Sequence, residues 1–213
     1  MIRSVKRMSI FSILLLLSVF LSPFRILTSD DSSSIFSSQT PSDADNIRLS
    51  GSCVISSKIR PGDILLIEGN TWIDKVIRLI TGSSYTHVAG VVNPDEAIEI
   101  LPFKKTGYQK LRTYAGRAHV FTYDNLTDEQ RRKITEYIFS RLGTKYDYKL
   151  VLWEASRYLL HWVWSYKAGN STLCSTLWAE AYRKAGVDLC PDIIYPSPGD
   201  LGNSPILQKI ESY

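Results

Sequence analysis

Three residues of the sequence have side chains that together can perform nucleophilic catalysis: His87, Glu99 and Cys174. Cys174 opens a predicted helix and follows the loop 167–173. At a helix start, the free backbone N–H groups and the positive end of the helix dipole favour the thiolate, which is the reactive form of cysteine. The backbone N–H of Cys174 is also placed to stabilise an oxyanion. Considered alone, a cysteine in this position is more often a buried structural residue.

His87 and Glu99 lie on two predicted strands that a short turn connects. Histidine is the usual base for a cysteine nucleophile because its pKa lies near neutrality. If Val92 pairs with Glu96, then Ala89 faces Glu99, and His87 points to the same face of the sheet. Glu99 would then orient the imidazole as the third member of a triad. A register shifted by one residue would put Glu99 on the opposite face and leave Glu96 as the alternative, and a lone strand histidine is usually structural.

The other residues that can carry chemistry form no second site. His119 begins a strand without an acidic or thiol neighbour at an interpretable spacing, and His161 lies in the apolar segment YLLHWVW. The sequence has no paired-cysteine or His-Glu-x-x-His metal motif, no Gly-rich phosphate loop and no Gly-x-Ser-x-Gly elbow. We therefore expect neither a metal site nor a cofactor.

The charge distribution gives no indication of a nucleic-acid partner. The formal net charge of +4 arises from four basic residues that precede the first acidic residue, Asp30, and the other charges balance. A neutral domain behind a basic tip lacks the basic surface that nucleic acids require.

The remaining pattern predicts the elements that must position these side chains. Strands are predicted over 64–67, 87–92, 97–101 and 118–123, and helices over 71–80, 127–142, 150–164 and 174–185. The second of these helices begins with a capping-box pattern at Thr127 and Gln130 and is closed by Gly143. Because strands come first and helices mostly later, the predicted class is α+β.

The N-terminal segment predicts targeting. A basic stretch (MIRSVKR) precedes the apolar run Ile10–Phe24, whose length of about fifteen residues is shorter than the ~20 residues of a spanning helix. Residues 1–28 are therefore interpreted as a signal peptide or an N-terminal membrane anchor. The Ser/Asp-rich segment 29–51 is predicted to be a flexible linker, and 52–213 the folded domain. We expect an exported protein, periplasmic or extracellular, with the N-terminal segment either removed or retained.

The three cysteines leave at least one thiol without an internal partner. One hypothesis pairs Cys53 with Cys190 and leaves Cys174 free. The alternative is that Cys53 and Cys190 are both buried and reduced.

Five segments in a fixed order resemble the YiiX-like circularly permuted papain-fold amidases of the NlpC-type papain-like superfamily: RPGDILL, YTHVAGVV, AIEIL, GTKYDYKLVLW and LCSTLWAEAYRKAG. The resemblance spans about residues 60–186, and the histidine strand precedes the cysteine helix, the reverse of papain. It implies a permuted papain-like fold in which an antiparallel sheet packs with helices and the catalytic cysteine stands at a helix N-terminus.

The resemblance also implies roles for individual residues. Cys174 falls on the family's nucleophile, His87 on its base and Glu99 on its third triad member. The family's Gly-x-x-Tyr-Asp element, which shapes the substrate groove, falls on Gly143, Tyr146 and Asp147, and further substrate-binding candidates beside the triad are Tyr85 and Ser175. The sequence departs from the family pattern next to the base and the nucleophile, at Thr86, Leu173 and Thr176.

The activity implied is that of an extracytoplasmic thiol hydrolase that cleaves an amide bond through an acyl-enzyme. Export favours a cell-wall peptide as substrate. The aromatic stretch 150–167 favours a lipid amide or contact with a membrane surface, unless it is a core helix with a buried aromatic stripe. The alternatives are a lipid-acting acyltransferase or esterase with the same triad, and a catalytically inactive domain that binds wall fragments or lipids.

Overall fold

A computed structural model describes residues 59–213, which form a mixed α+β fold around one antiparallel sheet. The sheet has six strands in the order β4-β3-β2-β1-β5-β8. Their bounds are β1 Ile64–Ile67, β2 His87–Asn93, β3 Glu96–Glu99, β4 Gly107–Lys110, β5 Ala118–Thr122 and β8 Gln208–Ser212. Two further short strands, β6 (Lys145–Tyr146) and β7 (Ser171–Thr172), pair in parallel. The predicted α+β class is confirmed.

Five α-helices and one 3₁₀ helix accompany the sheet in the described part of the chain. They are α1 Trp72–Thr81, the 3₁₀ helix Leu111–Tyr114, α2 Asp128–Ser140, α3 Tyr148–Leu160, α4 Cys174–Lys184 and α5 Pro198–Gly202. Within residues 59–213, no helix combines the length and apolarity needed to cross a membrane.

Both faces of the sheet are buried because its strands alternate between two hydrophobic clusters. Val88 and Ile98 pack with α2 and α4, and Ala89 and Val91 pack on the other side, where the 3₁₀ helix covers them. Eight of the eleven residues of α4 are buried, so α4 is the central helix of the first cluster. Successive side chains of a β-strand point to opposite faces of the sheet, so each strand contributes to both clusters.

A buried ion pair fixes the helical layer to the centre of the sheet. The Arg131 Nη1 atom of α2 lies 2.9 Å from Asp63 Oδ1, with both side chains nearly inaccessible to solvent. Asp63 Oδ1 also accepts a hydrogen bond from Thr122 Oγ1 at 2.7 Å. Tyr182 of α4 donates its hydroxyl to the Gly62 carbonyl at 2.6 Å. Helices α2 and α4 therefore both bind the residues that lead into β1.

Most predicted elements are confirmed, and one helix is shorter than predicted. The capping box of Thr127 and Gln130 is present at the start of α2. The helix predicted over 150–164 instead begins at Tyr148 and ends at Leu160, because His161 adopts a left-handed conformation (φ 51°) that closes it. The predicted N-terminal segment 1–28, the linker 29–51 and Cys53 lie outside the described residues.

Candidate active site

His87 and Glu99 form a close pair on adjacent strands of the sheet. The His87 Nε2 atom lies 2.6 Å from Glu99 Oε2, and the two side chains are only 14% and 9% exposed. Strands β2 and β3 pair Ala89 with Glu99, so the predicted register is confirmed at this point. At the turn, the pairing shifts by one residue, and Asn93 rather than Val92 faces Glu96. This bulge leaves His87 and Glu99 on one face, as expected.

Cys174 interacts with the same imidazole, since its charge and a side-chain hydrogen bond act on His87. With Nε2 occupied by Glu99, the Nδ1 atom is the nitrogen left for the thiol. Burial alone would raise the pKa of Cys174, but the positive charge and hydrogen bond of His87 outweigh it and lower that pKa. The backbone N–H groups of Val88 and Ser175 also favour the thiolate. The interaction with His87 therefore favours the thiolate form of Cys174.

The pKa of the His87 imidazole shifts in the opposite direction to that of Cys174. Burial by itself lowers the pKa of His87, but the charge and hydrogen bond of Cys174, together with those of Glu99, raise it to about 10. Glu99 is subject to the same balance, since burial raises its pKa and His87 lowers it below the ordinary value. Together, these shifts favour a thiolate, an imidazolium and a carboxylate in this buried group.

Helix α4 is positioned by a close approach to β2. A Cβ atom added at Gly90 would lie 2.2 Å from the Trp178 ring, so only glycine fits there. Trp178 Nε1 also donates to the Ile98 carbonyl at 3.2 Å. Because Trp178 is one turn beyond Cys174 on the same helix face, this contact carries the first residue of α4 towards the beginning of β2. There the thiol meets His87.

The segment before the nucleophile is held by the Gly-x-x-Tyr-Asp element. Tyr146 pairs with Thr172, and the Asp147 N–H donates to the Thr172 carbonyl at 3.0 Å. The Asp147 carboxylate caps α3 at Leu150 N and accepts hydrogen bonds from the hydroxyls of Tyr166 and Ser171, both at 2.8 Å. Asp147 is only 3% exposed, and its observed role is to position the loop that leads to Cys174. Direct substrate contact by Asp147 stays a prediction.

The other substrate-binding candidates differ in their surroundings. Tyr146 packs against the cluster that contains Cys174, and burial followed by the negative charge of Cys174 raises the pKa of Tyr146 well above the ordinary value. Ser175 is buried at 1% exposure, with no hydrogen-bond partner for its hydroxyl among the described residues. The Tyr85 hydroxyl forms a hydrogen bond with His119 Nδ1 at 2.8 Å, and the Tyr85 ring packs edge-on against Phe121.

Cys190 lies apart from the triad. It is a free, buried thiol whose Sγ donates to the Asp200 carbonyl at 3.6 Å. Burial, followed by the charges of Asp200 and Asp188, raises the pKa of Cys190 to about 11. Its pairing with Cys53 is not tested, because Cys53 is outside the described residues.

Three residues that interact with Glu99 or Cys174 were not predicted from the sequence. The side chains of Tyr114 and Gln109 interact with the Glu99 carboxylate, and burial and that charge raise the pKa of Tyr114. Glu154 of α3 lies close enough to Cys174 for the charge of Cys174 to raise the pKa of Glu154. The only signal for Glu154 was an acidic residue within the apolar segment LVLWEA. Tyr114 had none, because a single 3₁₀ turn has no periodic pattern.

The described residues offer no metal-binding donor set. No group of three His, Cys, Asp or Glu side chains within 59–213 could hold a metal ion.

Comparison with known proteins bears on the fold alone. No protein-family model and no curated protein matches the sequence. Among solved structures, the chain is similar to the metalloprotein YiiX from Escherichia coli O157:H7, a domain of unknown function, with a TM-score of 0.57 and 18% sequence identity. The match covers 73% of this chain and 98% of that protein. The architecture seen here is therefore shared with YiiX over nearly the whole of the YiiX chain.

Proposed function

We propose that this protein is a cysteine hydrolase of the circularly permuted papain type, with Cys174 as nucleophile, His87 as acid and base, and Glu99 as the residue that orients His87. The observation that carries this proposal is the His87 imidazole, which lies 2.6 Å from the Glu99 carboxylate and lowers the pKa of the Cys174 thiol at the start of α4. In a permuted papain fold the histidine strand precedes the cysteine helix, and β2 precedes α4 here.

The reaction follows from the charge states of the pair. The Cys174 thiolate attacks the carbonyl carbon of an amide, forming a C–S bond and an oxyanion, which unpaired N–H groups in the first turn of α4 stabilise. The oxyanion collapses, the C–N bond breaks, and the His87 imidazolium gives its proton to the departing amine. Neutral His87 then takes a proton from water, whose oxygen attacks the thioester. The C–S bond breaks, releasing a carboxylic acid and restoring the thiolate.

The substrate proposed is an amide on the outer side of the cytoplasmic membrane. The basic N-terminus and the apolar run Ile10–Phe24 support export, and therefore a cell-wall peptide or a lipid amide. No metal or other cofactor takes part in the proposed steps.

A lipid-acting acyltransferase or esterase is the second candidate, supported by the apolar surface around the end of α3. Trp153 is buried, whereas four apolar residues of α3 and the segment after it are 42–60% exposed: Leu152, Leu160, Trp162 and Val163. The buried-stripe interpretation therefore applies to only part of the aromatic stretch. Exposed tryptophan beside aliphatic side chains is typical of surfaces that contact lipid.

The first test measures the pH dependence of iodoacetamide alkylation at each cysteine by mass spectrometry. We expect Cys174 to react rapidly at pH values below ~8.5, the ordinary pKa of a thiol. His87→Ala should slow this reaction. Cys190, whose pKa is raised to about 11, serves as the internal control and should react slowly.

The second test exposes the protein to wall-peptide amides, N-acyl amides and acyl esters, with Cys174→Ala as the control. Product formation that requires Cys174, with an acyl group trapped on that residue, supports the hydrolase. Transfer of the acyl group to an added amine or alcohol in preference to water would identify an acyltransferase. Slow Cys174 alkylation that His87→Ala leaves unchanged would instead identify a binding domain without catalysis.

A further inference from the structure

Glu154 is an acidic residue beside the nucleophile that the proposed reaction does not use. Helix α3 packs against the segment before Cys174 through Leu150 and Trp153, which form a buried cluster with Leu173. Glu154 follows Trp153 and lies one turn beyond Leu150, so it is on the side of α3 that faces this segment. The same position brings it near Tyr146 and Cys174.

The Glu154 carboxyl has an unfilled hydrogen-bonding position. Its Oε1 atom is buried and has no hydrogen-bond partner among the described residues, while the side chain as a whole keeps partial exposure. Arg157, the cation one turn further along α3, binds Asp200 instead, with Nη2 2.6 Å from Asp200 Oδ2. A buried polar atom without a partner is costly unless a ligand fills the position.

The groups around Glu154 favour its neutral, protonated form. Burial makes the largest contribution and raises its pKa well above the ordinary value. The negative charges of Cys174 on α4 and Asp200 on α5 raise it further, and Arg157 on α3 opposes them. Tyr146 on β6 is the remaining titratable neighbour, and its own pKa is also raised. A protonated carboxyl offers an O–H donor, which a carboxylate lacks.

We propose that Glu154 is a substrate-binding residue, which donates an O–H hydrogen bond to an oxygen acceptor of the substrate beside the carbonyl that Cys174 attacks. This inference rests on the proposed function and specifies its substrate class. The substrate carries an amide, ester or carboxyl oxygen next to the scissile bond, because a neutral carboxyl supplies no charge to attract an ammonium group.

The test compares two alkylating agents of similar size at Cys174 in the full chain. Iodoacetate carries a carboxylate and iodoacetamide a neutral amide, and their rates are measured by mass spectrometry between pH 5 and 10. In the wild type, the ratio of the iodoacetate rate to the iodoacetamide rate should fall about tenfold when Glu154 ionises and begins to repel the anion. In Glu154→Gln, which stays neutral at every pH, that additional fall should be absent.

Two further variants complete the design. Glu154→Ala removes the donor and should slow both agents at pH 7 by about tenfold. Glu136 forms an exposed ion pair with Arg132. Glu136→Gln is the control and should match the wild type. Identical ratio profiles in the wild type and Glu154→Gln would overturn the inference, and so would unchanged rates in a folded Glu154→Ala. Should Glu154→Ala fail to fold, the isosteric glutamine variant decides the matter alone.

The measurement separates the two proposals. Alkylation requires only a reactive Cys174, so the ratio of the two alkylation rates can be measured even if no amide or ester is turned over. Absence of turnover on every amide and ester would contradict the hydrolase and would leave the test of Glu154 intact. Conversely, Cys174-dependent turnover combined with a Glu154→Gln profile equal to that of the wild type would retain the hydrolase and overturn the role of Glu154.

Discussion

At the scale of single residues, the candidate site depends on charges that stabilise one another in a buried place. An isolated buried imidazolium is unfavourable, and so is an isolated buried thiolate. His87 is stable in its charged form because both Cys174 and Glu99 interact with its imidazole. The pair therefore behaves as one titrating unit, and removing either anion should change the protonation of His87.

Glu99→Gln tests this dependence. The substitution keeps the size of the side chain but removes the negative charge, so the pKa of His87 should fall and less thiolate should be present at neutral pH. We expect Cys174-dependent turnover to drop on the order of 10²-fold or more. Iodoacetamide labelling at pH 6–7 should slow as well.

Glu96→Gln is the matched control for this substitution. Glu96 lies on the same hairpin but binds Asn93 Nδ2, at 2.8 Å, and Lys110 Nζ, at 3.3 Å, on the exposed edge. Equal effects of the two glutamine substitutions on labelling and turnover would show that the carboxylate of Glu99 has no special role.

At the scale of elements, the site is assembled by the fit of α4 against β2. Gly90 admits the Trp178 ring to the surface of the sheet, and the helix direction then places Cys174 near His87. Packing of α4 against the middle of β2 should therefore set the reactivity of the thiol.

Gly90→Ala should move α4 and lower both stability and reactivity. The new Cβ would lie 2.2 Å from the Trp178 ring, so the ring or the helix must shift. We expect a loss of about 1–3 kcal/mol in the free energy of unfolding, as for other overpacked cores. Cys174 alkylation should slow because its distance to His87 increases.

Gly107→Ala provides the comparison, since its added Cβ would come no closer than 3.7 Å to a neighbouring atom. Urea unfolding and iodoacetamide labelling measured on both variants separate crowding at Trp178 from the general cost of replacing a strand glycine. If Gly90→Ala unfolds and labels like Gly107→Ala, the fit of α4 against β2 does not set the position of Cys174.

The sequence predicted the elements whose side chains repeat regularly or whose ends carry caps. The segment from His87 to Val92 and the capping residues Thr127 and Gln130 indicated β2 and α2. Of the two registers considered, the one that pairs Ala89 with Glu99 is confirmed, although Asn93 rather than Val92 faces Glu96. Strands β6 and β7 have two residues each, which is too short for any periodic pattern.

Two features of the structure could not be predicted from the sequence pattern. The contact of Gly90 with Trp178 has no local signature, since a glycine in a strand pattern indicates only some close approach. The end of α3 was misplaced because His161 closes it in a left-handed conformation, a position usually taken by glycine or asparagine.

At the scale of the whole molecule, the buried charge pair makes the stability of the fold depend on pH. The folded-state pKa of His87 lies at about 10, above its unfolded value of ~6.5, so its contribution is fully present below pH ~6.5 and is lost as pH rises towards 10. The folded-state pKa of Cys174 is lowered, so its contribution is complete above ~8.5 and is lost as pH falls.

Together, the two shifts predict a plateau of stability between pH ~6.5 and ~8.5. In that range the unfolded chain carries its proton on Cys174 and the folded chain on His87, so the number of bound protons is equal and the slope is zero. Below the plateau the unfolded state binds one more proton, and above it the folded state does. The free energy of unfolding from the pair should thus fall on both sides, by at most about 1.4 kcal/mol per pH unit.

Cys174→Ser isolates this contribution because serine does not ionise in the accessible range. The difference in the free energy of unfolding between the wild type and Cys174→Ser, measured by urea titration from pH 5 to 10, should be largest on the plateau and smaller at both ends. A difference that does not vary with pH would mean that Cys174 and His87 are uncharged in the folded protein. The nucleophile would then have to be activated by proton transfer only after substrate binds.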